Sequence, residues 1–417
     1  MDFTRTEGIP IKIFNRSNYK WYILGLSILT YGIIAGAERM CIPVLFKEIS
    51  TDLNLNLVSV GTIWGLDPLA GIFVGLPGGL LVDRFGIKRT LTAICILAGI
   101  FSALRGLSVN FAGMAVTSFL FGMTAAILPG IVPKTTSVWF KKRQLGFTNA
   151  LIVIGPSIFA MAATQTSATV LSPLLGGWRN VLFVLSIPAV IIGILWYFTS
   201  REPDKRDSEI RETIHVPFRQ ALSRVVHIKE IWIIALICLF SWGGIMGFTG
   251  YLPLYLRNIG WEPIEADSIM TAINGANLIG SIPMVLLASK FTGYKTMLFL
   301  SIAVTIIGTG LLIIVNDTAI WPLLIISNFI RSGGAAAGNV LIFETRGVGG
   351  TYGGTALGLV SSVGMAGAFL APPIGNSFAD ISPSMPFLFW ACFAALSLPL
   401  FIFLRKSKDL RTVPEVH

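Results

Sequence analysis

Four ionisable residues lie inside runs that are otherwise apolar. They are Glu38 and Arg39 in "GIIAGAERMCI", Asp67 in "GTIWGLDPLAGIFVGLPGG" and Arg331 in "SNFIRSGGAAAGN". A charge deep in hydrocarbon costs about 2.5–3.5 kcal/mol on insertion scales, so each must be paired, face water or have a task. An arginine there offers a planar fork of donors that fits a carboxylate or a similar anion. A carboxyl in low dielectric can be neutral in one state and ionised in another, which suits a proton carrier. Glu38 and Arg39 are adjacent, so on a helix they point about 100° apart and do not pair with each other. Arg39 and Asp67 fall at similar depths, about 10 and 12 Å below the ends of their runs, and can form an ion pair between two helices. Arg331 lies about 16 Å deep, with small neighbours and no acid at its level. The plainer readings are a structural ion pair for Asp67, and bonds to backbone carbonyls or a buried acid for Arg331.

Uncharged polar residues form a second tier. Asn274 and Asn277 share one helix face, Trp64 and Trp242 each carry an indole N–H within a run, and Gln165 is a further candidate. Each can touch a small ligand or simply bond to a neighbouring helix. Catalysis has less to build on. His215, His227 and His417 lie outside the runs, and no nucleophile–base pair stands within them. Cys41, Cys95, Cys238 and Cys392 lack metal-ligand spacing, and no nucleotide-binding loop occurs. No enzyme activity, metal or cofactor is expected.

The elements that must position these residues are the runs themselves. The 417 residues are 54% hydrophobic and 12% charged, about half the charged fraction of a soluble domain. Twelve runs are long enough to cross roughly 30 Å of hydrocarbon as helix. They fall at 21–45, 59–81, 90–108, 112–133, 146–170, 179–199, 231–256, 266–288, 295–315, 320–343, 354–378 and 384–404. An all-α membrane protein follows, because backbone facing lipid must satisfy its own hydrogen bonds and these runs exceed barrel strands. With both termini cytoplasmic, 25 of the 31 Lys and Arg fall on the cytoplasmic side and only Lys47, Arg105, Arg179 and Arg257 on the other. The net charge of +10 is therefore topological, and nucleic-acid binding is not expected. The polar N-terminal stretch does not read as a cleavable signal.

The layout repeats. Residues 1–200 hold six runs, 201–230 form a charged linker, and 231–417 hold six more. "SFLFGMTAA" (118–126) aligns with "NFIRSGGAA" (328–336), and "DRFGIK" (83–88) with "KFTGYK" (290–295), at offsets of 210 and 207. Parallel six-helix halves are a known plan for secondary transporters, with the site between the halves near the midplane.

A more specific likeness lies between the second and third runs. "GLLVDRFGIKR" resembles the loop signature of the major facilitator superfamily, filled here by Gly79, Leu81, Asp83, Arg84, Gly86, Lys88 and Arg89. "GGWRNVLFV" (176–184), "GYLPLYLRNIG" (250–260) and "GLVSSVGMAGAFLAPPIGN" (358–376) extend the resemblance over nearly the whole chain. It implies twelve transmembrane helices in two pseudo-symmetric six-helix halves, with the first, fourth, seventh and tenth lining a central cavity. It also implies that Asp83 belongs to a cytoplasmic charge latch, closed in one state and broken in another. A partly exposed charge pair is worth only about 1 kcal/mol, enough to bias two states without locking either. The sequence departs from the family pattern at Lys290, where the second-half acid belongs, at Ser118, where many proton-driven members carry arginine, and in the fifth run, which lacks the glycines flanking Gly155-Pro156 in drug–proton antiporters.

The expected function is secondary active transport of a small organic anion, a carboxylate by preference, through proton-coupled symport. Arg39 and Arg331 would bind the anion, Trp64, Trp242, Asn274 and Asn277 would add contacts, and Glu38 or Asp67 would carry the proton. The alternative is a proton-coupled antiporter that exports amphipathic drugs or metabolites. A ligand-sensing receptor is a third reading, with the linker as its only signalling surface. A monomer in the plasma (cell inner) membrane is expected, its partners the lipid bilayer, the anion and the coupling ion.

Overall fold

The computed structural model describes residues 16–75, 84–140, 142–201, 218–315 and 317–404. Gly79, Leu81 and Asp83 of the loop signature lie outside them. Among the described residues every regular element is helical. Eleven helices are long and apolar enough to cross a membrane: α1 (Asn18–Asp52), α2 (Leu57–Val74), α3 (Ile87–Gly106), α4 (Phe111–Trp139), α5 (Arg143–Leu175), α6 (Trp178–Thr199), α7 (Lys229–Asn258), α8 (Pro263–Thr292), α9 (Tyr294–Leu311), α11 (Thr351–Asp380) and α12 (Met385–Phe403). The remaining one, α10, comes in two pieces, Ile320–Arg331 and Gly333–Glu344, with a turn at Ser332 between them. Among the described residues twelve spans are thus present, and the interruption falls directly after the arginine singled out from the sequence.

Local chemistry explains where the helices begin. Asn56 and Asn110 cap α2 and α4, their side-chain oxygens accepting from the N–H groups of Ser59 at 2.8 Å and Gly113 at 2.9 Å. Gly86 precedes α3 with φ 79°, ψ 163°, and Gly293 precedes α9 with φ 78°, ψ 153°. An L side chain is strained at such φ values, so both short turns need glycine. These are the two glycines aligned by the internal repeat, and they adopt the same conformation. The duplication is therefore visible in backbone geometry as well as in sequence.

Packing divides the bundle along its length. One apolar core, which includes Leu45, Phe46, Ile49, Tyr251, Leu252 and Phe387, is shared by helices from both halves of the chain. Towards the opposite end there are two separate cores, one around Tyr19, Leu91, Val132 and Trp196, the other around Ile231, Leu298, Ile342 and Leu404. The short amphipathic helix Phe218–Val226 joins the second of these through Val225.

Polar links follow the same division. Lys47 donates to Asn258 Oδ1 at 2.5 Å, Trp64 to the Met246 carbonyl at 2.8 Å, Gln165 to Ser268 Oγ at 3.1 Å and Asn376 to the Leu57 carbonyl at 2.7 Å. All four lie in the half of the bundle where α1 ends and α2 begins.

The seam between α2 and α11 closes this end. A Cβ on Gly61 would meet the Pro372 backbone at 2.8 Å, and one on Gly65 the Phe369 carbonyl at 2.6 Å. Gly65→Val is therefore expected to force the helices apart and cost about 1–3 kcal/mol of overpacking. Thermal unfolding in detergent tests this, and an unchanged midpoint would mean that the seam is loose. On the same helix Gly354 has open space around it.

Candidate functional site

The site begins with an irregularity in α1. Residues Gly32–Glu38 form a π-helical segment, a device that inserts a residue into the helical register and is frequent at functional sites. It lets α1 approach α5 closely, since a Cβ on Gly36 would lie 2.5 Å from the Pro156 carbonyl. The two neighbouring charges at its end point in different directions. Arg39 emerges into a cavity, where its Nε lies 2.8 Å from Asp67 Oδ2 of α2, with side chains 30% and 10% exposed. Glu38 is 0% exposed and does not line that cavity.

The cavity has a volume of about 330 Å³ and walls drawn from α1, α2, α4, α7, α10 and α11. Arg39 and Asp67 stand on the first half's wall, and Arg331 and Trp242 on the second half's. Among the described residues its charged lining residues are Arg39, Asp67 and Arg331. Arg331 ends the first piece of α10, with its Nε–H donating to Asn328 Oδ1 at 2.9 Å. No acid pairs with it among the described residues. With Arg39 opposed by Asp67, the cavity carries an excess of one positive charge, contributed by Arg331. Trp242, 37% exposed, packs its ring on Gly364 of α11.

The other residues singled out from the sequence lie elsewhere. Trp64 is 3% exposed and spends its N–H on the Met246 carbonyl, so it joins α2 to α7 rather than facing the cavity. Asn274 donates to the Met270 carbonyl of its own helix at 3.0 Å and is absent from the cavity wall. Asn277 donates to the Ile273 carbonyl at 3.2 Å and lines an adjoining chamber that also reaches Arg331 and Trp242. Gln165 bridges α5 to α8 through Ser268. Of the signature residues, Arg84 and Arg89 are exposed beside Gly86, and the Lys88 ammonium lies 5.6 Å from the Tyr197 ring of α6.

Two arginines that the sequence places on the non-cytoplasmic side turn their side chains inward. Arg105, 3% exposed, donates to the Glu38 carbonyl at 3.0 Å and to Ser102 Oγ at 2.9 Å, with its guanidinium 4.0 Å from the centre of the Phe121 ring. Arg257 donates to both carboxylate oxygens of Asp267, each at 2.6 Å. Tyr31 and Met365, which line the cavity, carried no sequence signal beyond lying within apolar runs.

Comparisons with known proteins agree with this architecture. The family model of the Major Facilitator Superfamily matches residues 28–342 and 256–417. The chain is similar to the probable nitrate/nitrite antiporter NarK1 of Thermus thermophilus, 26% identical over 264 residues, or 60% of this chain and 57% of that one. It is also similar to the probable galactarate/D-glucarate transporter GudP of Bacillus subtilis (strain 168), 27% identical over 204 residues, 46% and 42% of the two chains. The matches thus span about half the length of these relatives. A solved bacterial homolog to the human lysosomal transporter Spinster, in an inward-facing and occupied conformation, has the same fold, with a TM-score of 0.77, 14% identity and coverage of 94% and 97%. Twelve spans, a repeated glycine turn, a cavity walled by both halves and a family match across the chain lead to one assignment: this chain belongs to the Major Facilitator Superfamily.

Proposed function

We propose that the protein moves a small organic anion, a carboxylate by preference, across the membrane by alternating access, coupled to a proton in symport. The observation that carries this reading is the unneutralised Arg331 facing the Arg39–Asp67 pair across one cavity. Relatives named for galactarate, glucarate, nitrate and nitrite point to the same charge class. Residues 1–200 and 231–417 are the two moving halves, joined by 201–230. With both termini in the cytoplasm of a cell whose inner membrane holds the protein, the end where the halves share a core is the outer one. The structure then corresponds to an inward-facing state.

The coupling follows from charge. While Asp67 is ionised it holds the Arg39 guanidinium. A proton on Asp67 removes that competitor and leaves both arginines for an anion, so proton and anion favour each other's binding reciprocally. Anion affinity should therefore rise as pH falls. Asp67 takes this role rather than Glu38, because it is the acid on the cavity wall.

Asp67→Asn mimics the protonated state. It should keep anion binding within about threefold of wild type at low pH, lose the pH dependence of affinity, and abolish accumulation driven by a pH gradient in proteoliposomes. Accumulation that survives in Asp67→Asn would remove Asp67 from coupling. Proton antiport of amphipathic cations needs an acid free to meet the cation, whereas Asp67, the one acid on the wall among the described residues, is paired with Arg39. Stabilisation by cationic drugs and by no anion in a thermal-shift panel would reverse the assignment.

A further inference from the structure

A second chamber of about 190 Å³ opens beside the central cavity within the second half, between α7, α8, α9, α10, α11 and α12, and shares Arg331, Trp242 and Ile245 with it. It is far larger than the roughly 10–15 Å³ needed by one water. Its polar lining includes Ser241, Asn277, Ser301, Ser332, Asn339 and Ser361.

The hydrogen bonds of these groups give the chamber a chemical bias. Ser241 donates to the Cys238 carbonyl at 3.5 Å, Ser332 to the Phe329 carbonyl at 2.6 Å, and Asn277 to the Ile273 carbonyl at 3.2 Å. A hydroxyl or amide whose donor is bound to its own helix still offers an oxygen as acceptor. Ser241 and Ser332 therefore present acceptors, Asn277 presents an acceptor and its second amide N–H, and the Ser301, Asn339 and Ser361 side chains make no hydrogen bond among the described residues and can turn either way. Among the described residues no charge other than Arg331 lines the chamber. Carboxylate oxygens accept only, whereas a hydroxyl both donates and accepts, so a neutral wall of mixed donors and acceptors is matched by hydroxyl groups.

We propose that this chamber is a subsite that reads hydroxyl groups: the transported anion anchors its charge on Arg331 and inserts a neutral, hydroxylated portion past Trp242 into the second half. The inference rests on the anion reading above and adds to it a substrate class, the polyhydroxylated carboxylate, and a place for its hydroxyls. A site built to bond substrate hydroxyls discriminates strongly against analogues that lack them, because its own polar groups are then left unpaired.

The test uses matched monocarboxylate probes of equal length and charge that differ in hydroxyls: gluconate against hexanoate, and 2,3,4-trihydroxybutanoate against butanoate. Calorimetric titration of the purified full-length protein should show the hydroxylated member of each pair binding at least about 10-fold tighter. In Ser241→Ala/Ser361→Ala the gap should narrow to below about threefold, while hexanoate and butanoate keep their wild-type affinity. Asn339→Leu, which intrudes on the chamber from another helix, should act in the same direction and stands in if the double variant does not fold. Equal affinity within each pair for wild type, or an equal loss of both members in the variants, overturns the subsite while the anion reading stands. Failure of all four probes to bind overturns the anion reading, and the subsite with it.

Discussion

Arg331→Ala is expected to weaken anion binding about 100-fold or more and to remove the thermal stabilisation that the anion confers on wild type. Truncating one partner of a desolvated, hydrogen-bonded charge pair costs about 2–5 kcal/mol, much of it from leaving the other charge unpaired. Arg331 should sit in the upper part of that range, because its guanidinium faces the cavity without an acid of its own. Arg39, by contrast, is already held by Asp67 at 2.8 Å. The ligand-free fold should survive, since the truncation removes one bond, to Asn328 Oδ1, and breaks no ion pair among the described residues. Arg331→Lys keeps the charge but loses the fork, so it should recover only part of the affinity. Titration of each variant with gluconate, alongside its ligand-free unfolding midpoint, separates lost binding from lost structure. An Arg331→Ala protein that binds the anion within threefold of wild type would place the anion elsewhere and leave Arg331 a structural role.

The architecture was legible from the sequence because run length, charge sidedness and the repeated glycine turn are one-dimensional signals, and bilayer thickness turns run length directly into helices. Even so, the break in α10 at Ser332 had no proline to announce it. Relative depth along neighbouring runs was legible for one pair, since Arg39 and Asp67 were matched by it and lie 2.8 Å apart. Direction was not. An ideal helix sets Glu38 and Arg39 about 100° apart, but the π-helical segment at Gly32–Glu38 decides which of them reaches the cavity. Trp64 and Asn274 have the composition of ligand contacts, yet their N–H groups are spent on the carbonyls of Met246 and Met270. The inward turn of Arg105 was hidden for a related reason. It stands in the last turn of α3, at the end of its run, but helical side chains lean back towards the N-terminus. Its length then carries the guanidinium inward to the Glu38 carbonyl. That Gly61 and Gly65 lie against α11 emerged only from the fold.

Asp267→Ala is expected to destabilise the protein by about 3–5 kcal/mol, the cost of breaking a buried ion pair by removing one partner. Arg257 is in the last turn of α7, Asp267 in the second turn of α8, and their side chains are 8% and 0% exposed. The guanidinium donates to both carboxylate oxygens at 2.6 Å each, a geometry in which the attraction can offset desolvation. With the carboxylate gone, the guanidinium loses the acid that both its bonds go to, and the α7–α8 hairpin must open to hydrate it or rearrange around it. Replacing both residues with apolar groups of similar volume removes the buried charge together with its partner. Arg257→Met/Asp267→Leu should therefore lie within about 1 kcal/mol of wild type or above it. Chemical unfolding in detergent distinguishes the cases. Since the pair is out of solvent, the loss in Asp267→Ala should be the same at low and high salt, where an exposed pair would be screened. A single variant as stable as wild type, or a double variant as weak as the single, would mean that the pair is hydrated in the membrane and contributes no more than a surface bridge.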